Sequence, residues 1–189
     1  TLRVALPEGD VRRAVAGATA ATLTELGPDG TLRGGLALDW QPRDGARVWE
    51  LSLRDGVHRA ALTAALAPLG QVALVARLRA RLALSAPDAD LPLRLTGVGL
   101  PDTGLYRETA AGVLTRVARH WKDGRAGWFD RIEILGRDPA EARLAALRSG
   151  RVDAAAALPA HAEGILAAGG EHTLRATPAG PEAVAQRIA

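Results

Sequence analysis

The chain has 189 residues with 24 basic and 21 acidic side chains, a formal net charge of +3 and no cysteine. The basic residues are scattered among the acids, whereas nucleic-acid-binding proteins usually carry a basic face with stacking aromatic residues, so the composition argues against nucleic-acid binding. The absence of cysteine leaves the redox compartment open, and no apolar run is long enough to span a bilayer.

The first third of the chain predicts strands and helices separated by short turns. Alternating residues at Leu2–Leu6 indicate a strand that ends at Pro7. The alanine-rich stretch 11–26 favours a helix, and the sequence GPDG at 27–30 is typical of a turn. The elements predicted after this turn are strands at 36–40 and 48–53 and a helix at 58–66.

Residues 71–85 alternate between apolar side chains and arginine, which favours a half-buried strand or hairpin. A helix is the rival interpretation, because arginine, leucine and alanine all favour helix. In the strand interpretation the two faces carry different residues. The solvated face has Arg77, Arg79 and Arg81, and the inward face includes Leu78, Ala80 and Leu82.

The middle of the chain predicts mainly strands. Turn and short-helix signals occupy 86–95, and two strands, within 103–108 and 112–121, are joined at TAAG. A loop at 123–128 then leads to a strand at 131–135.

The segment 137–158 predicts a helix between two strands. Asp138 can accept hydrogen bonds from the free amides at a helix start, Pro139 suits the first helical position, and Gly150 can close the helix. A returning strand at 152–158 implies a parallel pair with a right-handed crossover. The same logic predicts a helix within 159–170 and a strand at 172–177. The fold class expected is therefore α/β, a mixed sheet with right-handed β-α-β units.

Four segments of the chain resemble one protein family. They are DGTLRGGLALDWQPRDGARVWELSLRDGV at 29–57, DTGLYR at 102–107, ARHWKDGRAGWFDRIEI at 118–134, and the helical segment 137–158. In this order they are similar to extracellular solute-binding proteins of ABC transporters, in the oligopeptide, dipeptide and nickel group. Members of that family are much longer and enclose their ligand between two lobes.

The resemblance implies that residues 1–189 form one lobe of such a clamshell. Its expected parts are 1–70 with a strand and helix, 71–129 with mainly strands, and 130–189 with the β-α-β unit. It also implies a non-enzymatic protein that binds a peptide or related small solute and delivers it to an ABC permease in the membrane. The expected location is periplasmic or extracellular, with a leader either removed or lying before the quoted residues.

An alternative function follows from the same resemblance. A single lobe could have lost solute capture and become an interaction or assembly module that binds a protein partner. A homodimer, or a second protein chain that completes the cleft, would then cover the exposed face. In both interpretations the partners expected do not include nucleic acid.

The chemistry-bearing residues show no pattern typical of catalysis or of a bound metal or cofactor. The four histidines, His58, His120, His161 and His172, lack metal-ligand spacing, and no nucleophile elbow, phosphate loop or dinucleotide fingerprint occurs. The four tryptophans are expected to be core anchors. We therefore expect no enzyme activity, catalytic residue, metal site or cofactor.

A binding face, if it follows the geometry of parallel sheets, should lie at the carboxyl ends of the strands. Glu8, Gly9 and Asp10 follow the first predicted strand, and Arg137 follows the strand at 131–135. These four residues are the candidates for contact with a ligand.

Overall fold

The structure, a computed structural model, describes residues 1–169, 172–176 and 183–187. Its helices are α1 (Val11–Thr19), α2 (Arg59–Leu66), α3 (Leu91–Arg94), α4 (Ala140–Arg148) and α5 (Ala162–Gly169). Its strands are β1 (Leu2–Leu6), β2 (Ala21–Thr22), β3 (Thr24–Leu26), β4 (Leu32–Gly34), β5 (Ala37–Arg43), β6 (Val48–Leu53), β7 (Gln71–Ala76), β8 (Arg79–Ala83), β9 (Gly99–Leu100), β10 (Tyr106–Ala110), β11 (Val113–Arg116), β12 (Arg131–Gly136), β13 (Ala154–Ala155), β14 (His172–Ala176) and β15 (Ala183–Arg187). Short 3-10 helices lie at Glu8–Asp10 and Leu95–Gly97.

The chain divides into two compact units. The first unit contains Thr1–Ala18 and Leu105–Ala189, and the second contains Thr19–Gly104. The divisions therefore fall near residues 18 and 104, whereas the expected parts met at 70 and 129. That the whole chain is one lobe stays a prediction.

The first unit is built on a seven-stranded mixed sheet in the order β10-β11-β12-β1-β13-β15-β14. Strand β1 runs parallel to β12 on one side and to β13 on the other, and the remaining pairs are antiparallel. The expected mixed α/β architecture is confirmed. The predicted parallel pair differs in one respect: β12 and β13 do not touch, because β1 lies between them.

The strand predicted at 152–158 is much shorter in the structure, where β13 contains only Ala154 and Ala155. Its amino end is held by Asp153. The Asp153 carboxylate accepts hydrogen bonds from the Arg3 amide at 2.8 Å and from Arg3 Nη2 at 3.0 Å. This hydrogen bonding lowers the pKa of Asp153 from its ordinary value. The Arg3–Asp153 pair thus ties β1 to the start of β13.

Helices α4 and α5 contribute to the apolar core on one side of this sheet. Leu144 and Leu147 of α4 and Leu166 of α5 are buried with Val152 and Ala5 of β1. Burying one leucine side chain stabilises the folded state by about 2 kcal/mol. The three leucines of this cluster therefore stabilise the β-α-β region. A second cluster contains Val15, Tyr106 and Leu114.

The second unit contains a four-stranded antiparallel sheet in the order β5-β6-β8-β7. Its apolar face buries Trp49, Leu51, Ala80 and Leu82. The hairpin interpretation of 71–85 is confirmed over the helix, because β7 and β8 pair along their length.

Arg77, Arg79 and Arg81 are exposed, as expected. The placement of Leu78 is wrong: it lies in the turn of the hairpin and is 38% exposed, whereas Leu82 is fully buried. Side chains alternate between the two faces of the sheet only within the strands, and this alternation ends at the turn.

The helix predicted at 11–26 ends early, at Thr19. Residues 21–26 instead form β2 and β3, which pair with β9 and β4. Threonine is frequent here and prefers strands, and the pairing buries Leu23 completely. Tertiary pairing therefore overrides the helix preference of the alanines. Across the part of the chain that the structure describes, no helix is long and apolar enough to cross a bilayer.

Candidate functional site

The carboxyl ends of three parallel strands meet at one edge of the sheet in the first unit. In β1, Leu6 pairs with Gly136 of β12, and Ala5 pairs with Ala155 of β13. We call the residues that leave these strand ends, 7–10, 136–138 and 156–157, the carboxyl edge. All four candidate binding residues lie on it, because parallel strands send their following loops to the same side of a sheet.

The loop after β1 forms a tight 3-10 turn at Glu8–Asp10. Pro7 lacks an amide hydrogen, which suits it to ending the strand, and its carbonyl accepts the Asp10 amide at 2.9 Å. The Asp10 carboxylate accepts a hydrogen bond from Arg13 Nη2 at 2.8 Å. Glu8 is exposed, and within the described residues its carboxylate makes no ion pair. The turn therefore presents the Glu8 carboxylate to solvent.

The loops after β1 and β12 are bonded to each other. The Arg137 amide donates to the Leu6 carbonyl at 2.9 Å, and the Glu8 amide donates to Asp138 Oδ2 at 3.1 Å. A methyl group at Gly136 would lie only 3.3 Å from Glu8 Cδ, which shows how closely these loops pack. The structure thus brings the candidates after β1 next to the candidate after β12.

Asp138 does not cap helix α4, which corrects the sequence prediction. The helix begins at Ala140, Pro139 occupies the cap position, and no side chain caps the helix start. The reason is that the two Asp138 oxygens are already engaged, one by the Glu8 amide and the other by Arg143 Nη1 at 2.7 Å. The predicted role of Gly150 is confirmed, because it follows the helix with a φ of +68° that favours glycine.

Arg143 of α4 is buried and binds several groups of the carboxyl edge, although it was not among the candidates that the sequence indicated. Its side chain is 5% exposed in the ion pair with Asp138. Its guanidinium also donates to the carbonyls of Arg137 at 2.6 Å, Ala156 at 3.0 Å and Ala157 at 2.6 Å. One side chain therefore connects the loop after β12 to the loop after β13.

A signal for Arg143 was present in the helix pattern. Residues four apart share a helix face, which places Arg143 on the same face as Leu147, and Leu147 is fully buried. A lone arginine on the apolar face of a helix must find partners for its charge inside the protein. Sequence alone could have flagged the residue, although not the carbonyls that it binds.

The carboxyl edge carries side chains of both charges. Arg137 is partly buried, and its Nε atom is buried without a hydrogen-bond partner among the described residues. Carboxylates such as Glu8 bind ammonium groups, and guanidiniums bind carboxylates. Within residues 1–169 and the two described strands beyond them, no group of three or more histidine, aspartate or glutamate side chains could hold a metal ion.

The tryptophans divide between core and surface. Trp49 is buried, and its indole N–H donates to the carbonyls of Ala46 and Asp88, each at 3.2 Å, so the core-anchor prediction is confirmed there. The same prediction is wrong for Trp128, which is 75% exposed. Trp40 and Trp121 are partly buried.

No family model matches the chain, and no curated protein matches it. Solved structures of substrate-binding proteins do match. An ABC transporter substrate-binding protein from Sinorhizobium meliloti superposes with a TM-score of 0.76 at 20% identity, covering 92% of this chain and 48% of that one.

Two further structures match to the same extent. AgaA from A. tumefaciens R10, in complex with agropinic acid, has a TM-score of 0.76 at 20% identity over 92% of this chain and 47% of its own. A dipeptide-binding protein from Pseudoalteromonas sp. SM9913, in complex with Met-Leu, has a TM-score of 0.78 at 13% identity over 93% and 51%. The chain spans about half the length of these proteins. It therefore has the fold of ABC-transporter substrate-binding proteins across about half of their length.

Proposed function

We propose that this chain binds a small solute for an ABC importer and has no catalytic role. The observation that carries the proposal is the shared fold, which extends over more than nine tenths of the chain in each matched structure. The solute class proposed is a short peptide or a related small zwitterion or acid. The partner proposed is an ABC permease, and the location is periplasmic or extracellular.

The carboxyl edge supports this proposal at the level of residues. The exposed Glu8 carboxylate is suited to the ammonium group of a zwitterion, and the Arg137 guanidinium is suited to its carboxylate. Asp10 and the Gly9 backbone flank the same turn. Asp138 and Arg143 would hold the loops after β1 and β12 in place. Neither would touch the solute, because both already bind groups of the protein.

Calorimetry with Met-Leu and agropinic acid tests the proposal, since solved neighbours hold these two molecules. The Glu8 carboxylate is exposed to solvent, so we expect a Kd on the order of 1 mM for the better of the two ligands. Replacing Arg137 with glutamine should weaken that binding at least about fivefold, because a charge-assisted hydrogen bond is lost.

Arg131→Gln is the matched control. Arg131 begins the strand that ends beside Arg137, is exposed, and pairs with Glu133 at 2.8 Å. It lies at the opposite end of β12, so its replacement should leave binding unchanged. Failure of both ligands to bind, or equal weakening by the two variants, would count against the proposed function.

A further inference from the structure

The four-stranded sheet of the second unit has a charged face that lines a cavity of about 400 Å³. All four strands line it. Its polar lining includes Asp39 and Arg43 of β5, Glu50 and Ser52 of β6, and Arg79 and Arg81 of β8. This cavity lies wholly within the second unit, so it is separate from the carboxyl edge.

Strand register aligns three of these residues across the sheet. Asp39 pairs with Ser52, and Ser52 pairs with Arg79. Neighbouring strands lie about 4.8 Å apart, so the backbones of Asp39 and Arg79 are separated by about 10 Å, with Ser52 between them. Their side chains share one face of the sheet, and an anionic and a cationic side chain therefore flank Ser52 at the cavity.

Two β-bulges lie at the level of this row. The register shifts between Ala37 and Asp39 in β5 and between Leu74 and Ala76 in β7, which makes Leu38 and Val75 the extra residues. Bulges bend a strand and increase its twist, and they are common beside binding sites, where they re-aim side chains. Both edge strands thus deviate from regular pairing beside the row that contains Asp39 and Arg79.

Some of the charged side chains that line the cavity form ion pairs with one another, and two of them do not. Glu50 accepts hydrogen bonds from Arg81 at 2.9 Å and from Arg43 at 3.3 Å, so these three groups satisfy one another. Within the described residues, the guanidinium of Arg79 makes no ion pair. Asp39 has no cationic partner there either, and its carboxylate accepts only a long 3.4 Å hydrogen bond from Gln41. One unpaired cation and one unpaired anion therefore face the cavity.

We propose that this cavity binds a small zwitterion whose carboxylate contacts Arg79 and whose ammonium group contacts Asp39. Ser52 lies between Asp39 and Arg79 in the strand register, so its hydroxyl can donate to the carboxylate. Val75, which is 51% exposed at the bulge, offers an apolar surface to the short chain that links the two ends of the ligand. This site is additional to the solute site proposed at the carboxyl edge.

Three matched probes test the charge pattern by calorimetry: 4-aminobutyrate, butyrate and butylamine. The first carries both charges, and each of the others lacks one. Wild-type protein should bind 4-aminobutyrate more tightly than either of the others. Equal affinities for the three probes, or no measurable binding of 4-aminobutyrate, would overturn the proposal.

Variants then locate the binding. Arg79→Gln should weaken 4-aminobutyrate binding at least about tenfold, the effect of losing one charge-assisted contact. Asp39→Asn should bring the affinity for 4-aminobutyrate down to that for butyrate. Both residues are exposed, so circular dichroism should show that the variants fold as the wild type does.

Arg77→Gln is the control for charge. Arg77 is exposed in the turn of the same hairpin and pairs with Asp55 at 2.9 Å outside the cavity. If Arg77→Gln weakens the binding of 4-aminobutyrate as much as Arg79→Gln does, the loss comes from the general electrostatic field of the protein. That result would disprove the site. Arg137→Gln should leave this binding unchanged, which separates the site from the carboxyl edge.

Discussion

The geometry of the carboxyl edge depends on the guanidinium group of Arg143. It binds Asp138 and three backbone carbonyls, and these groups belong to two different loops. A buried guanidinium is tolerated only because every donor that faces the protein has an acceptor. Asp138 also accepts the Glu8 amide, so its carboxylate links Arg143 to the turn that contains Glu8.

We expect Arg143→Met to lower the free energy of unfolding by about 3 kcal/mol, because it leaves buried carbonyls without donors. The matched control is Arg148→Met in the same helix, where the arginine is exposed and the expected change is within about 0.5 kcal/mol. Urea unfolding measures both. Equal midpoints for the two variants would contradict the role assigned to Arg143.

Asp29 provides a test of pH dependence at the scale of one residue. Hydrogen bonds from Thr31, helped by Arg33 Nη2 at 2.7 Å, lower the pKa of Asp29 to about 2. A lowered carboxyl pKa stabilises the folded turn at pH values above the unfolded pKa of 3.8, and this contribution disappears as the pH falls to about 2.

Carbon-detected NMR of the Asp29 carboxyl group during an acid titration measures that pKa directly. Thr31→Val removes the hydroxyl donor that is the largest cause of the shift, so the pKa should rise towards its ordinary value. An unchanged pKa in the variant would show that the hydroxyl is not the cause.

Single residues show where sequence reasoning succeeds and where it fails. Gly150 was predictable because a glycine with positive φ directly after a helix depends on local backbone geometry. Asp138 was wrongly expected to cap its helix, since the Asp-Pro pattern is local, whereas the groups that bind its carboxylate come from Glu8, 130 residues away, and from Arg143. Arg143 could have been flagged by its helix face but not assigned its partners.

Among the elements, the hairpin of β7 and β8 shows how far alternation can be trusted. Ala80 and Leu82 are fully buried, as the period-two pattern predicts, on the face where they neighbour Leu51 and Trp49 of β6. Leu78 follows the same numerical pattern but lies in the turn. The pattern identifies the faces of a strand, and it does not show where the strand ends.

Two aspartate substitutions in this hairpin test that distinction. Leu82→Asp places a charge in the core and should destabilise the protein by more than about 3 kcal/mol or prevent folding. Leu78→Asp places the same charge in an exposed turn and should change stability by less than about 1 kcal/mol. Thermal unfolding followed by circular dichroism compares them, and a Leu78 variant as unstable as the Leu82 variant would contradict the register.

Helix α1 and strands β2 and β3 show where local sequence preference predicts the wrong element. Alanines favoured a helix through residue 26, but pairing partners for 21–26 come from β4 and the distant β9. Long-range pairing of this kind cannot be read from local preference. The predicted β-α-β segment at 137–158 indicated the α/β fold class, and the order of the four similar segments indicated the resemblance to solute-binding proteins.

At the scale of the whole molecule, the mixed sheet of the first unit explains why the candidate residues converge. Glu8 and Arg137 are far apart in sequence, and they meet because β1 and β12 are parallel neighbours. The sequence predicted the carboxyl ends of β1 and β12 to within one residue, but it did not predict the strand order, in which β1 separates β12 from β13. The matched structures share this fold at identities of 20% or less, so topology persists where few side chains do.

Amide NMR spectra of the isotope-labelled chain, recorded while Met-Leu is added, test the central claim most directly. Binding at the carboxyl edge should give saturable shift changes that are largest at residues 8–10, 137 and 138, on its loops after β1 and β12, and smaller changes across the second unit. Shift changes confined to the second unit, or none at concentrations well above the expected Kd, would contradict the claim that this edge binds the solute.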